Sequence, residues 1–241
     1  GAGSDAPLII RMLDIGQGDA ILIERNGKFA LIDTGDVEHR PRMAEYLRKY
    51  GVKKVDTVII THPHGDHIGG MFSVFANAEI RQVYDNGVPT SLSTYKTYRK
   101  ILDKRKIPRR TLRGGEKIQL LDGVPFTVVG QLKYGNFTML FTGDAEAEEE
   151  ASILKSGADV KSIVLKAGHH GSKTSSTEEF LRAVLPKAVF ISCGAGNNYG
   201  HPSRQTMKRL EKWGIEVYRT DRQGTITLTT DGKRYEITKE H

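Results

Sequence analysis

The chain has almost nothing with which to crosslink itself. Its 241 residues include a single cysteine, Cys193, so an internal disulfide cannot form. Cys193 lies in the apolar stretch AVFISCG, where we expect a small core residue rather than a reactive thiol. The sequence also lacks an apolar run near the roughly 20 residues of a membrane-spanning helix, and it lacks a basic-then-apolar leader. These absences exclude a disulfide framework and predict a protein that is soluble as given.

Internal repeats, low-complexity segments and long linkers are absent from the sequence too. Residues 1–5 carry no apolar periodicity and are interpreted as the remnant of a tag or linker. Residues 6–241 are predicted to form one domain, which at this length buries a core without needing a metal to hold it together. Any bound metal is therefore expected to serve function.

Positive charge is concentrated in one segment. The formal net charge is +7, yet the stretch from Lys96 to Lys117 alone carries ten basic and two acidic residues. A charge run of this kind is most often the solvated face of a helix, here docked through residues such as Tyr98. The alternative is a surface that follows the phosphates of a nucleic acid. The basic residues that would do so are Arg99, Lys100, Lys104, Lys106, Arg109 and Arg110.

Short strands alternate with helices along most of the chain. Strands over 8–13, 20–24 and 29–33 predict an antiparallel opening, because Asn26-Gly27 favours a hairpin turn. The further predicted strands are 57–61, 81–84, 127–129, 137–141, 162–165, 188–192 and 217–220, with a closing hairpin of 225–229 and 234–238. The predicted helices are 42–50, 71–75, 95–106, 147–155, 177–185 and 204–213. This order predicts an α/β fold in which two mixed β-sheets pack on each other with helices outside.

Six of the eight histidines fall in three short stretches, which is typical of a metal site. The stretch HPHGDH follows the apolar strand 57–61, so its side chains emerge where that strand ends. Imidazole and carboxylate ligands suit Zn²⁺ or Mn²⁺, and two pairs of ligands imply two ions. The candidate ligands in this stretch are His62, His64, Asp66 and His67.

Two later strand ends supply further candidate ligands. Asp144 ends TMLFTGD and can bridge two ions with its two oxygens, although a strand-terminal aspartate is equally often a helix N-cap. His169 and His170 follow the strand at 162–165, and successive side chains diverge, so only one of them needs to bind metal. We choose His170 as the ligand and His169 as a contact to a ligand or to substrate.

These motifs together resemble the metallo-β-lactamase superfamily, which implies an αβ/βα four-layer sandwich with a dinuclear site. More narrowly, IGQGDAILI, THPHGDHIGG, YGNFTMLFTGDAEAE, HHGSKTSS and YGHPS resemble the C-terminal, nuclease-like domain of ComEC-type competence proteins. That family takes up DNA through a membrane channel. The resemblance implies that one ion is held by His62, His64 and Asp144. It implies that Asp66, His67, Asp144 and His170 hold the other, with Asp33 orienting a ligand.

The sequence departs from related families at two places. An Asn-rich segment that usually precedes the YGNF strand of ComEC-type proteins has no counterpart between Gly130 and Gln131. The branches that hydrolyse β-lactams carry a further histidine before the strand-end aspartate, and none occurs between His67 and His169. β-Lactam hydrolysis is therefore disfavoured.

Several polar residues near the motifs are candidates for contact with substrate. Lys173 offers a point charge just after the histidine pair, and Ser172 a hydroxyl. His201, in GNNYGHPS, can donate to a departing oxygen, and Asn198 lies in the same turn. Asp66, Lys173 and His201 are thus the expected catalytic residues.

The main hypothesis is a metal-dependent DNase in which a hydroxide bridging two ions attacks a phosphodiester. By resemblance, it degrades the DNA strand that is not imported during competence. Such a domain is tethered to a transmembrane channel at the outer face of the cytoplasmic membrane. Two alternatives remain open from the sequence. One is an esterase of small or cell-wall phosphoesters such as phosphocholine, and the other is a DNA-binding module with an inactive metal site.

Overall fold

The structure is a computed structural model that describes residues 6–62, 65–113 and 115–241, apart from the side chains of residues 65 and 66. The strands are β1 (Leu8–Met12), β2 (Ile21–Arg25), β3 (Lys28–Ile32), β4 (Lys54–Val55), β5 (Thr57–Ile59), β6 (Glu79–Ile80), β7 (Val83–Asp85), β8 (Arg109–Thr111), β9 (Lys117–Leu121), β10 (Val124–Thr127), β11 (Gln131–Tyr134), β12 (Phe137–Phe141), β13 (Val164–Lys166), β14 (Ala188–Ile191), β15 (Glu216–Arg219), β16 (Ile226–Thr230) and β17 (Tyr235–Lys239). The helices are α1 (Arg40–Lys49), α2 (Gly65–Ile68), α3 (Met71–Asn77), α4 (Ser93–Lys104), α5 (Ala147–Lys155), α6 (Glu178–Val184), α7 (Arg204–Lys212) and α8 (Thr220–Gln223).

Two large mixed sheets form the centre of the fold. The first has the strand order β17-β16-β1-β2-β3-β5-β7-β8, and the second has the order β15-β14-β13-β12-β11-β10-β9. Strands β3, β5, β7 and β8 run parallel in the first sheet, as do β12, β13, β14 and β15 in the second. Because parallel strands end at the same edge of a sheet, the loops that follow them gather there.

Successive side chains of a strand point to opposite faces of its sheet, so the buried residues form three clusters, one between the two sheets and one on the outer face of each sheet. Ile21 and Ile23 of β2 point into the cluster between the sheets, whereas Leu22 points to the outer cluster with α1, α3 and α4. In the second sheet, Met139 faces the inner cluster and Leu140 faces the outer cluster with α6 and α7. Both faces of each sheet are therefore buried, one against the other sheet and one against helices. The predicted αβ/βα four-layer sandwich is confirmed.

The sequence located most elements to within a few residues, but it overlooked the two-residue strands β4 and β6, the one-turn helices α2 and α8, and the strands β8 and β9. Strand β9 alternates exposed and buried residues as a half-buried strand should, yet it directly follows the basic run, which obscures the pattern. Strand β8 consists of Arg109, Arg110 and Thr111, which offer no apolar alternation at all. Its place at the edge of the sheet comes from pairing with β7 rather than from local preference.

The turn between β10 and β11 contains only one residue of a type that typically marks a turn, Gly130. The Gly130 N–H donates to the carbonyl of Thr127 at 2.9 Å, and Gly130 has a φ of +93°. A Cβ at Gly130 would lie 2.0 Å from the carbonyl oxygen of Phe141, so only glycine fits this turn. The turn ends at the edge of the sheet where β12 also ends.

The fold divides the basic segment between two ends of the first sheet. Strand β7 ends at the edge where the histidine loop lies, and α4 then runs back, so Lys104 and Lys106 reach the opposite end. There Lys106 lines a groove of about 690 Å³ together with Lys53 and Arg81. The course of α4 therefore places the basic residues along the whole height of the sheet rather than in one patch at the histidine loop.

Candidate metal centre

His67 lies at the centre of a cluster of polar side chains at the strand ends, and it is fully buried. Its Nδ1 lies 2.8 Å from Oδ2 of Asp33, and its Nε2 lies 2.9 Å from Oδ2 of Asp144. Asp33 also accepts bonds from the backbone N–H and hydroxyl of Thr61 at 2.8 and 2.6 Å. The Asp33 carboxylate therefore holds the ring so that Nε2 faces Asp144, which fits the predicted orienting role.

Asp144 follows β12 and brings a carboxylate between His67 and His170. One oxygen, Oδ2, bonds to His67, and the other, Oδ1, lies 3.9 Å from Nε2 of His170. Oδ1 is buried and has no hydrogen-bond partner within the described part of the chain. Asp144 is not a helix N-cap, because α5 is capped by Glu146 in a capping box with Glu149. Its geometry thus favours the ligand interpretation over the capping one.

The charges of this cluster are strongly coupled. Burial alone would lower the pKa of His67, but Asp33 and Asp144 outweigh it and raise that pKa well above its usual value. Burial alone would raise the pKa of Asp144, whereas His67, His170 and His62 hold that pKa below its usual range. A fixed anionic carboxylate among imidazoles is a suitable donor set for a divalent cation.

The histidine pair after β13 sits in an unusual turn. His169 and His170 have φ values of +46° and +57°, in the left-handed region that non-glycine residues rarely adopt. The turn sends the two rings apart. Nδ1 of His170 lies 2.8 Å from the carbonyl oxygen of Ser192, which leaves Nε2 facing Asp144. His169 instead pairs with Glu146, its Nδ1 lying 2.9 Å from Oε1.

A divalent cation fits the described part of this cluster. Ligand atoms of His62, His67 and Asp144 all lie within 4.8 Å of one another. Oδ1 of Asp144 has no hydrogen-bond partner in the described residues, and it lies 3.9 Å from Nε2 of His170, which is too far for a hydrogen bond but close enough for the two atoms to share an ion. Of the other predicted ligands, His64 and the side chain of Asp66 lie outside the described part of the structure.

A buried ion pair that no local sequence pattern indicates lies beside the cluster. Lys166, the last residue of β13, is 1% exposed, and its Nζ lies 2.9 Å from Oδ2 of Asp19, which is also 1% exposed. Nζ also donates to the carbonyl of Ala167 at 2.9 Å. The second oxygen of Asp19 lies 3.5 Å from Nδ1 of His170. This pair joins the loop before β2 to the second sheet directly behind His170.

The loop that carries His201 forms the outer wall of the cluster. Asn197 holds this loop, since it accepts from the backbone N–H of His201 at 3.0 Å and donates to its carbonyl. The His201 ring stacks on His170 at 6.0 Å and on Tyr199 at 5.7 Å between ring centroids. Burial, together with His170 and His169, lowers the pKa of His201. Asn198 is exposed, so Asn197 rather than Asn198 organises the turn.

The remaining predicted residues differ in what they contact. Ser172 is buried and bonds to the Thr174 hydroxyl at 2.9 Å, whereas Lys173 is exposed. Arg109 places its guanidinium on both carboxylate oxygens of Asp85, at 2.7 and 2.8 Å. Arg109 is thus engaged within the fold, and its contact with DNA stays a prediction. The other predicted DNA-contacting side chains are exposed or half-buried at the surface: Arg99, Lys100, Lys104, Lys106 and Arg110.

Two packed β-sheets with helices on both outer faces, and candidate histidine and aspartate ligands where the strands end, are typical of one class of metal-dependent proteins. The model of the metallo-beta-lactamase superfamily matches residues 13–195, and the chain belongs to that superfamily. The fold is also that of the metallo-beta-lactamase fold protein YhfI from Bacillus subtilis, with a TM-score of 0.63. That structure shares 11% sequence identity and covers 93% of this chain and 100% of its own.

Among proteins of known sequence, the chain is similar to competence proteins. It is 29% identical to ComE operon protein 3 of Bacillus subtilis, over 90% of this chain and 32% of that protein. It is 30% identical to Competence protein ComA of Neisseria gonorrhoeae, over 90% of this chain and 31% of that protein. The resemblance to ComEC-type proteins is confirmed, and the chain spans about a third of these relatives. Family and relatives together support a metal-dependent hydrolase.

In the described residues, every helix is too short or too polar to cross a lipid bilayer.

Proposed function

We propose that the protein is a metal-dependent phosphodiesterase that degrades DNA. The observation that carries the proposal is the Asp144 carboxylate, which bonds to His67 through one oxygen and turns its orphaned oxygen toward His170. When bound, two divalent cations, Mn²⁺ or Zn²⁺, supply the charge that activates water and stabilises an attacked phosphate. We assign one ion to His62, His64 and Asp144. The other is assigned to Asp66, His67, Asp144 and His170.

Side chains around the cluster support a phosphodiester as the substrate. Lys173 is exposed just beyond the His170 turn, where its ammonium can hold a phosphate oxygen. Ser172 is buried beneath it and shapes that turn through its bond to Thr174. His201 lines the cleft of about 610 Å³ that also contains His169, His170 and Tyr199. Lys173, Ser172 and His201 are thus proposed to bind and orient a substrate, whereas His170 holds the metal.

Two surface features favour a nucleic acid over a small phosphoester. The Tyr199 ring is 72% exposed and stacks on His201, so it offers a platform on which a nucleobase can stack beside the cluster. Helix α4 begins near the same edge of the sheet and carries Lys96, Lys100 and Lys104 away from it. A polyanion lying along this helix would gain binding energy from each released counterion. Through its competence-protein relatives, we propose that the substrate is the DNA strand left outside during uptake.

The same relatives suggest the protein's setting. We propose that this chain acts beside a membrane channel carried by the same polypeptide, at the outer face of the cytoplasmic membrane. DNA is then its substrate and the channel its covalent partner.

Cleavage of end-labelled single- and double-stranded DNA tests the proposal. The protein is treated with EDTA, and Mn²⁺ or Zn²⁺ is then returned. We expect cleavage to return with metal in the wild type and to be absent in Asp66→Ala and Asp144→Asn. Asp122→Asn is the matched control, because Asp122 is an exposed aspartate in the turn at the opposite end of the second sheet. If metal binds and DNA survives every condition, the DNase proposal is wrong, and release of phosphocholine from its esters is the next assay.

A further inference from the structure

Gln17 links the loop before β2 to the His201 loop through two hydrogen bonds. Its Oε1 accepts from the backbone N–H of Gly194 at 2.9 Å, and its Nε2 lies 3.1 Å from Nδ1 of His201. The two contacts come from opposite ends of one amide group. The orientation of the amide group that satisfies one contact therefore also decides whether Gln17 donates or accepts in the other.

The chemistry of the partners decides the direction of the second bond. The Gly194 N–H can only donate, so the amide end that faces it must be the oxygen. The amide nitrogen then faces His201, and an NH₂ group can only donate. Nδ1 of His201 must accept that bond and carries no proton. In a neutral imidazole the proton then resides on Nε2.

The ring of His201 is also fixed in its plane. It stacks on both His170 and Tyr199, with interplanar angles of 26° and 20°. Asn197 holds the backbone of the same residue on both sides, through its N–H and its carbonyl. Turning the ring over to exchange its nitrogens would break the bond to Gln17. Both the tautomer and the orientation of His201 are therefore set by its neighbours.

We propose that Gln17 is a positioning residue that holds His201 as the Nε2–H tautomer, so that His201 donates a hydrogen bond to a phosphoryl oxygen of the substrate. The inference rests on the proposed phosphodiesterase function. It changes the role expected from the sequence, in which His201 gives a proton to the departing oxygen. A proton donor must carry hydrogen on both nitrogens before transfer, and a hydrogen on Nδ1 would meet the NH₂ of Gln17. In the proposed role the proton stays on Nε2 and is shared in a hydrogen bond, and no covalent bond is made or broken at His201.

The tautomer can be read directly in the metal-free protein. The ¹⁵N chemical shifts of the two ring nitrogens distinguish a protonated nitrogen from an unprotonated one, and loss of the signals in His201→Asn assigns them. We expect Nδ1 to be unprotonated in the wild type. In Gln17→Glu, which keeps an oxygen for Gly194 but presents a carboxylate to His201, we expect Nδ1 to gain a proton. A protonated Nδ1 in the wild type, or one that stays unprotonated in Gln17→Glu, overturns the proposal.

Leaving-group dependence separates the two roles in the metal-loaded enzyme. We compare a dinucleotide with the p-nitrophenyl ester of thymidine 5′-monophosphate, whose leaving group needs no proton. A lost hydrogen bond to a phosphoryl oxygen should slow both substrates by about 10- to 100-fold in His201→Ala. A lost proton donor would slow the dinucleotide alone, which contradicts the proposal. Gln17→Met, which removes both bonds and keeps the volume, should slow both substrates in the same proportion. If the wild type cleaves neither substrate, the phosphodiesterase proposal fails, whereas the tautomer is still decided by the ¹⁵N shifts.

Discussion

Lys166 and Asp19 are the residues at which a single substitution should cost the most stability. Both charges are withdrawn from water and satisfy each other at 2.9 Å, so removing one leaves the other buried and unpaired. We expect Lys166→Met to lower the free energy of unfolding by about 3–5 kcal/mol in urea denaturation. The double variant with Asp19→Asn should recover part of that loss. A single variant within 1 kcal/mol of the wild type would show that the pair contributes little.

Cys193 should be inert toward alkylation while the protein is folded. Burial, and next Asp221, raise the pKa of its thiol to about 12, so the reactive thiolate is scarce at pH 8. Its fully buried position also excludes the reagent. Mass spectrometry after iodoacetamide treatment should find Cys193 unmodified in the native protein and modified in urea. Rapid labelling of the native protein would contradict this assignment. The sequence predicted a core cysteine from its apolar neighbours, and its burial confirms that expectation.

Among the elements, α4 should contribute to DNA affinity through charge alone. Lys100 and Lys104 are exposed on this helix and lie along the proposed path of the polyanion. We expect Lys100→Ala with Lys104→Ala to reduce the slope of log affinity against log salt by about 1 to 2, because fewer counterions are released. The comparison is Lys233→Ala with Lys239→Ala, two exposed lysines at the opposite edge of the first sheet. Equal slopes for the two pairs would remove α4 from the DNA interface.

The elements also explain how far the sequence could predict the site. Strand ends followed by HPHGDH, TGD and HHGS are local patterns, so the strand-end placement of His67, Asp144 and His170 could be read directly. Lys166 has no such pattern, because a single lysine at the end of a buried strand resembles any strand terminus. Its partner Asp19 lies 147 residues away, and only the packing of two sheets brings them together. The bond from Gln17 to His201 spans 184 residues and was hidden for the same reason.

At the scale of the whole molecule, metal should stabilise the native fold. The residues proposed as ligands come from the ends of strands in both sheets, so an ion bound by them binds the folded chain and not the unfolded one. Binding of this kind adds about 2.7 kcal/mol at a free metal concentration one hundred times the Kd. We therefore expect Mn²⁺ or Zn²⁺ to raise the Tm of the EDTA-treated protein. Asp144→Asn should lose that rise and Asp122→Asn should keep it, as measured by calorimetry. A rise of equal size in Asp144→Asn would place the ion elsewhere.

The ion pair of Lys166 and Asp19 also bears on how the chain can be divided. Asp19 and His67 precede β8, whereas Asp144 and Lys166 follow β9, so a cut between these strands separates His67 from Asp144 and Lys166 from Asp19. Two fragments made separately would each carry unmatched buried charges and an incomplete donor set. Complementation between such fragments would then report on assembly of the two sheets, since neither fragment has a cluster of its own to restore.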